Sequence, residues 1–201
     1  TPLYSSAASD VYKRQGTGNS YNCFMGIAAR SGEMTGWDDY FCEIGFYNQY
    51  PDQYRKEITY LSEWTNSSGV TIPWTQFATG RPYYKKLMGS KNTHMTNIDQ
   101  QLERFAETLL IFAEAQIMAT GDNSDPDALE AFNQVKRRGY GLDPFTPDVT
   151  VDATSITQRD VIDEKGWEFA GEFCRWFDLV RLQLVEETIA AKDPEELQPL
   201  G

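Results

Sequence analysis

Residues Asp163–Arg181 of the 201-residue chain read DEKGWEFAGEFCRWFDLVR, and this segment is the most informative about the fold. Starting one residue before this segment, Ile162, Gly166, Phe169 and Phe173 recur every three or four residues, which is the spacing of one helical face. A second set at helical spacing predicts the next helix: Trp176, Leu179, Val180, Gln183 and Leu184. The pattern therefore predicts two successive helices.

These C-terminal helices, placed over residues 156–190, have a recognisable start. Thr157 followed by Asp160 resembles a capping box in which Asp replaces the usual Glu. A Pro- and Asp-rich connector, Gly141–Ser155, precedes them and is too long for a tight turn. We therefore expect the connector to pack on the surface before the helices begin.

A helix pair is predicted upstream, over residues 97–139. The apolar face of its first helix is expected to contain Leu102, Phe105, Ala106, Leu109, Ala113 and Gln116. Gly121 is the predicted stop, and Asp125 with Pro126 is a favoured start for the second helix. The buried face of that helix is expected to contain Ala128, Leu129, Phe132 and Val135.

This pair has some features of a tetratricopeptide repeat. Ala128, Phe132 and Val135 keep the spacing of the small and large residues in the second helix of that repeat. The turn between the helices is longer than the repeat allows. Both a tetratricopeptide-like unit and a generic helical hairpin therefore fit, and either needs further helices to cover its apolar faces.

Residues 16–91 are rich in aromatic side chains and show no clean helical period. Gly, Pro and Asn interrupt the segment throughout, which favours short strands and loops with one helix. The chain holds 11 Tyr, 11 Phe and 5 Trp, more than an intrinsically disordered chain carries. We therefore expect this segment to be folded but loop-rich.

Acidic residues outnumber basic ones by 30 to 18, which gives the chain a net charge of -12. Such a surface repels polyanions, which disfavours nucleic-acid binding, so no nucleic-acid partner is expected. The single histidine, His94, leaves no imidazole cluster for a metal centre. Asp122–Asp125 lacks the glycine and closing glutamate of an EF-hand loop, so we expect a turn and an N-cap there. No metal and no cofactor are expected.

The first residues have a different origin in our interpretation. Ser5–Gln15, SSAASDVYKRQ, resembles the in-frame translation of a transposase adaptor used in sequencing libraries. We therefore expect residues 1–15 to be adaptor-derived rather than native, and residues 16–201 to be a fragment of a longer protein.

Two segments together resemble the RagB/SusD family of outer-membrane glycan-binding lipoproteins. The first, NIDQQLERFAETLLIFAEAQ (Asn97–Gln116), is similar to a family helix that reads Arg-aromatic-Ala-acidic and then Leu-Leu and Ala-Glu-Ala. The second is Asp163–Arg181, where the family has a Glu-rich helix ending in Gly-Glu and then Arg-Trp-Phe-Asp-Leu-Val-Arg. Looser similarity extends over Asp52–Glu187. Family members are usually much longer, so the resemblance implies a C-terminal fragment.

The resemblance implies a mostly α, SusD-like fold, with tetratricopeptide-like helix pairs and an irregular, loop-rich region with short strands. It further implies a non-enzymatic protein that binds oligosaccharides or polysaccharides for nutrient uptake. The implied partner is a SusC-like TonB-dependent transporter. The implied location is the cell surface, held to the outer membrane by a lipid anchor outside this chain. The alternative is a helical-repeat scaffold that binds protein or peptide, in an apolar groove on the helix pair, without binding glycan.

Ligand contacts are expected from aromatic loop residues, on which sugar rings stack, and from nearby carboxylates that accept hydroxyl hydrogens. The candidates are Trp37, Asp38, Asp39, Tyr40, Tyr47 and Trp74. For each aromatic residue, packing in the core is the other interpretation.

A second group of residues is expected to be structural, with a buried Trp and with ion pairs that orient its helix against the Arg104/Glu107 helix. Its members are Arg104, Glu107, Glu168, Glu172, Arg175, Trp176, Asp178 and Arg181. Carboxylates interleaved with arginines on a helix indicate a salt-bridge network rather than the acid and nucleophile of a glycosidase. No catalytic residue is therefore expected.

Overall fold

The structure is a computed structural model that describes residues 41–51, 53–66, 68–77, 79–86, 103–172 and 174–191. These residues belong to two compact units. Of the described residues, the first unit takes 41–47 and those from 58 to 86, and the second takes 48–57 and those from 103 to 191.

The first unit contains short strands, as expected for a loop-rich segment. Strands β1 (Tyr60–Leu61) and β4 (Tyr83–Tyr84) pair antiparallel, with Tyr60 opposite Tyr84. Strands β2 (Glu63–Thr65) and β3 (Thr71–Pro73) form a second antiparallel pair, with Trp64 opposite Ile72. A 3-10 turn follows at Trp74–Gln76.

Two short helices lie where the chain passes from one unit to the other. Helix α1 covers Ile44–Asn48 and α2 covers Gln53–Thr59. The Glu43 side chain accepts hydrogen bonds from the backbone N–H groups of Gly45 and Phe46, at 2.8 and 2.7 Å. These bonds satisfy donors that the first turn of α1 would otherwise leave open.

The second unit is helical. Its helices are α3 (Phe105–Thr120), α4 (Pro126–Gly139), α5 (Gln158–Glu168), α6 (Arg175–Arg181) and α7 (Val185–Ala190). The core lies between α3, α4 and α5, and its fully buried members include Leu110, Ala113, Ala128 and Val161. The small alanines let α3 and α4 approach closely. The predicted mostly α fold with a loop-rich region and short strands is confirmed.

The predicted helix boundaries in this unit are confirmed where a local capping interaction sets them. Gly121 ends α3 in the left-handed region, at φ 69°. Asp125 caps α4 by accepting from the N–H groups of Asp127 and Ala128, and Pro126 is the first helical residue. Thr157 and Asp160 form the complete capping box of α5.

Three expectations about buried faces are wrong. Phe105 is 68% exposed, because α4 packs on the neighbouring stripe of α3 that includes Leu110 and Ile117. Trp176 and Val180 are 59% and 50% exposed. The buried face of α6 is instead formed by Asp178 and Leu179, since Lys165 binds the Asp178 carboxylate from the interior at 2.8 Å.

The two predicted C-terminal helices are also shorter than expected. Helix α5 ends at Glu168, before Gly171 at φ 81°, and Phe173 lies outside the described residues. The next helix stops at Arg181, because Gln183 adopts a left-handed backbone at φ 56°. Gln183 and Leu184 therefore belong to the turn that leads into α7.

The connector between α4 and α5 is fastened to the helical core. Asn133, buried in α4, accepts from the N–H of Ala153 at 2.8 Å and donates to its carbonyl at 3.0 Å. The guanidinium of Arg137 binds Asp152 through two bonds of 2.7 Å and also donates to the Pro144 carbonyl. These contacts hold the connector against α4.

Candidate functional site

Aromatic rings cluster in the first unit. The ring of Tyr47 meets that of Trp74 edge to face, with centroids 5.9 Å apart, and meets that of Tyr60 in the same way at 5.3 Å. Tyr60 also contacts Tyr84, at 5.1 Å. Such pairs add to stability beyond the area that they bury.

Local backbone contacts position the two outer members of the cluster. Tyr47 lies on α1, whose first turn is capped by Glu43. Trp74 opens the 3-10 turn, and its backbone N–H donates to the Ser62 carbonyl at 2.8 Å. Both side chains are partly exposed, whereas Tyr60, which contacts Tyr47, is buried.

The structure brings together two of the six predicted ligand-binding residues, Tyr47 and Trp74. The other four, Trp37, Asp38, Asp39 and Tyr40, lie outside the described residues. Sequence reasoning missed Tyr60 and Tyr84 as neighbours of the pair. The tyrosines in the two short strands could have indicated an aromatic pair, but the register that places Tyr60 opposite Tyr84 could not be predicted from the sequence.

In the second unit, ion pairs join the two sequence stretches that carry the family resemblance. Arg104 binds Glu168 at 2.8 Å and Glu172 at 2.7 Å. Glu168 is 3% exposed and also meets Arg55, at 3.1 Å, and Arg138. Arg104 further lies over the ring of Phe169, 4.6 Å from its centroid. This network ties α5 and the residues after it to the start of α3.

A second set of ion pairs ties α6 to the same helix. Arg181 donates to both carboxylate oxygens of Glu114, at 2.7 and 2.6 Å. Arg181 also pairs with Asp178 at 2.9 Å. Lys165 binds the same Asp178 carboxylate at 2.8 Å. Burial works to raise the pKa of Glu114, but hydrogen bonds from Arg181 and Gln158 outweigh it and leave that pKa lowered.

The remaining members of the structural group behave differently. Arg175 donates to the Ile162 carbonyl and lies 3.4 Å from Asp163. Glu107 forms no ion pair with any residue that the structure describes. The exposed Trp176 corrects the expectation of a buried tryptophan.

The carboxylates of this network have the partners of a structural cluster. Glu168, Glu172 and Asp178 each contact an arginine or a lysine within 3.1 Å. Carboxylates held by arginine and lysine side chains in this way form a salt-bridge network that joins neighbouring helices. Ion pairing of this kind supports a structural role for these three side chains.

The acidic turn before α4 is used for capping. Asp122 accepts from the N–H of Ser124 at 2.8 Å, and hydrogen bonds from the Ala128 N–H, Gln116 and the Asp127 N–H hold the pKa of Asp125 below its ordinary range. Over the described ranges, no three His, Cys, Asp or Glu side chains come close enough to hold a metal ion. Nor does any described helix combine the length and apolar character needed to cross a bilayer.

The second unit consists of helices that are joined by buried ion pairs, so it belongs to a helical domain. The family model described as the SusD family matches residues 16–197. The chain therefore belongs to the SusD family.

Two relatives by sequence are similar over most of this chain. SusD-like protein P2 from Formosa agariphila is 29% identical over 160 residues, which cover 73% of this chain and 31% of that protein. A SusD-like protein from Bacteroides ovatus is 27% identical over 182 residues, covering 81% and 32%. The chain thus spans about a third of the length of these relatives.

Solved structures share the fold. Surface glycan-binding protein A from Bacteroides uniformis superposes with a TM-score of 0.61 at 22% identity, covering 84% of this chain and 36% of that one. A SusD homolog from Bacteroides thetaiotaomicron gives 0.60 at 19% identity, covering 79% and 36%.

Proposed function

We propose that this chain is part of a cell-surface protein that binds oligosaccharides or polysaccharides for nutrient uptake, without cleaving them. The observation that carries the proposal is membership of the SusD family over residues 16–197. The similarity to a protein named for surface glycan binding supports the same role.

Within the described residues, Tyr47 and Trp74 are the proposed sugar contacts. Both rings are partly exposed, and Tyr47 packs against Trp74 and against the buried Tyr60, so the pair offers apolar ring surface to the C–H groups of a sugar. Trp37, Asp38, Asp39 and Tyr40 remain proposed contributors of further stacking and of hydrogen-bond acceptors. Binding would rest on several weak contacts, with no bond broken.

The proposed partner is a SusC-like TonB-dependent transporter in the outer membrane, where a lipid anchor elsewhere in the full protein would hold this one. An exposed apolar stripe on α3 supports a docking role for the helical unit. Phe105, Ile111, Phe112 and Met118 are 45–68% exposed along it. Exposed apolar patches of this kind mark interaction surfaces.

The same stripe favours the second candidate function, a helical scaffold that binds protein without binding glycan. The two functions differ in one property, which is affinity for polysaccharide.

Affinity electrophoresis in gels containing polysaccharides separates these candidates. The chain should be retarded by at least one polysaccharide, and Trp74→Ala should reduce that retardation strongly. Trp176→Ala is the matched control, because it removes an equally large ring that is 59% exposed in the other unit. Migration unaffected by every polysaccharide tested would favour the scaffold.

A further inference from the structure

A cleft of about 350 Å³ opens in the helical unit, away from any residue considered above as a ligand contact. Its lining comes from α4, α5, the connector and Pro51. Phe132 and Ile156, which are 4% and 1% exposed, contribute buried apolar surface to it. Tyr140 and Trp167 add partly exposed aromatic rings.

The walls of the cleft are held in place by contacts outside it. The two hydrogen bonds between Asn133 and Ala153 fix the connector wall, and the N–H of Ile156 donates to the Asn123 carbonyl at 2.9 Å. The backbone of Trp167 is held as well, because the hydroxyl of Tyr50 donates to its carbonyl. A preorganised site loses less entropy when it binds a ligand.

The charges that line the cleft are nearly balanced. Glu164 is paired with Arg55 at 2.8 Å, and Asp163 is paired with Arg159 and Arg175 at 3.0 and 3.4 Å. Among the described residues, Lys136 and Asp160 are the lining charges that form no ion pair. They have opposite signs, so the cleft favours a neutral polar ligand over an ion.

We infer that this cleft is a second saccharide-binding site, one that takes a short neutral segment of the glycan. Its aromatic rings suit the apolar face of a sugar. The ammonium of Lys136 can donate to a hydroxyl oxygen. The Oδ2 atom of Asp160 already accepts from Thr157 in the capping box of α5, and its Oδ1 atom can accept from a sugar hydroxyl. At about 350 Å³ the volume lies at the low end of small-ligand sites, which fits one or two sugar rings. This inference rests on the proposed function.

The test is an NMR titration of the full ¹⁵N-labelled chain, with the indole signal of Trp167 assigned through Trp167→Phe. The probes are cellotriose, xylotriose and mannotriose, with trigalacturonate as the anionic counterpart. At least one neutral trisaccharide should shift the Trp167 indole signal, and trigalacturonate should shift it less.

Two cleft variants and one control sharpen the test. Tyr140→Ala should weaken the Trp167 response about fivefold or more, as expected when one stacking ring is lost. Ser155→Tyr, which fills the cleft from an exposed position, should do the same if Tyr140→Ala fails to fold. Phe145→Ala, which removes a 70% exposed ring outside the cleft, should leave the response unchanged.

The possible failures are distinguishable. If no trisaccharide shifts the Trp167 indole signal, while the chain binds polysaccharide and Trp74→Ala abolishes that binding, the cleft is not a saccharide site and the proposed function stands. If the chain binds no saccharide in either experiment, the cleft site and the proposed function are both wrong.

Discussion

Arg181 and Glu114 lie 67 residues apart in sequence and join α6 to α3 through two hydrogen bonds of 2.7 and 2.6 Å. The Glu114 side chain is 9% exposed, whereas that of Arg181 is 42% exposed. The arginine therefore reaches in from the surface to neutralise a carboxylate that the fold has buried. This pair connects the two sequence stretches that identify the family.

Removal of the arginine should destabilise the chain. In Arg181→Ala the Glu114 carboxylate keeps only the hydrogen bond from Gln158, at 2.8 Å, so we expect a loss of about 1–3 kcal/mol in the free energy of unfolding. Urea denaturation measures it. Arg159→Ala is the control, because its pairs with Asp163 and Glu187 lie at the surface and should each contribute under about 1 kcal/mol. Equal effects of the two variants would refute a structural role for Arg181.

Acid should weaken the same contact. Because the folded-state pKa of Glu114 is lowered, its contribution is complete above the ordinary value of 4.5 and is lost as the pH falls through the lower folded-state value. The pKa of Asp152 is lowered too, since Arg137 donates to it. Stability should therefore drop between about pH 5 and pH 2.

Glu114→Gln isolates the contribution of Glu114 to that drop. The variant should be less stable than the parent near neutral pH, and the difference should shrink as the pH is lowered. A difference that stays constant across the titration would mean that the charge of Glu114 contributes nothing.

Gly139 should resist replacement by alanine, although it lies in a helix. Helix propensity alone favours alanine by about 1 kcal/mol. A Cβ at this position, however, would lie 2.6 Å from the guanidinium carbon of Arg55, which is buried and paired with Glu164 and Glu168. We expect Gly139→Ala to lower the melting temperature, and to do so less in an Arg55→Met background. If Gly139→Ala instead raised the melting temperature of the parent chain, the Arg55 side chain would have moved aside at no cost.

Trp176 should contribute little to the stability of this chain. Because its side chain is 59% exposed, Trp176→Ala should cost less than about 1 kcal/mol. Phe132→Ala, in the core, should cost about 3–5 kcal/mol. Denaturation of the two variants under identical conditions measures both losses in the free energy of unfolding. A loss for Trp176→Ala close to that for Phe132→Ala would mean that Trp176 is packed rather than exposed.

Features with a local cause could be predicted from the sequence. Gly121, the Asp125–Pro126 pair and the Thr157/Asp160 capping box set helix ends through groups within a few residues of one another. Which face of α3 is buried was less predictable, because two adjacent faces of that helix are apolar. The alanines on one stripe permit close approach by α4, and Phe105 is left on the other.

The sites depend on contacts that are distant in sequence. Tyr47 and Trp74 could be proposed from their chemistry alone, but the contacts of Tyr47 with Trp74 and with Tyr60 depend on the tertiary fold. The cleft combines Pro51 with Trp167, and no sequence pattern brings those two together. The end of α6 before Gln183 could not be predicted from the sequence either, since glutamine rarely adopts a positive φ.

Isothermal titration calorimetry of the full chain against a panel of neutral polysaccharides and their oligosaccharides measures whether the chain binds glycan. We expect saturable binding to at least one glycan, markedly weakened by Trp74→Ala and unaffected by Trp176→Ala. We also expect no release of reducing sugar during the titration. Absence of binding across the panel by a folded chain, or equal weakening by the two tryptophan variants, would contradict the proposed function.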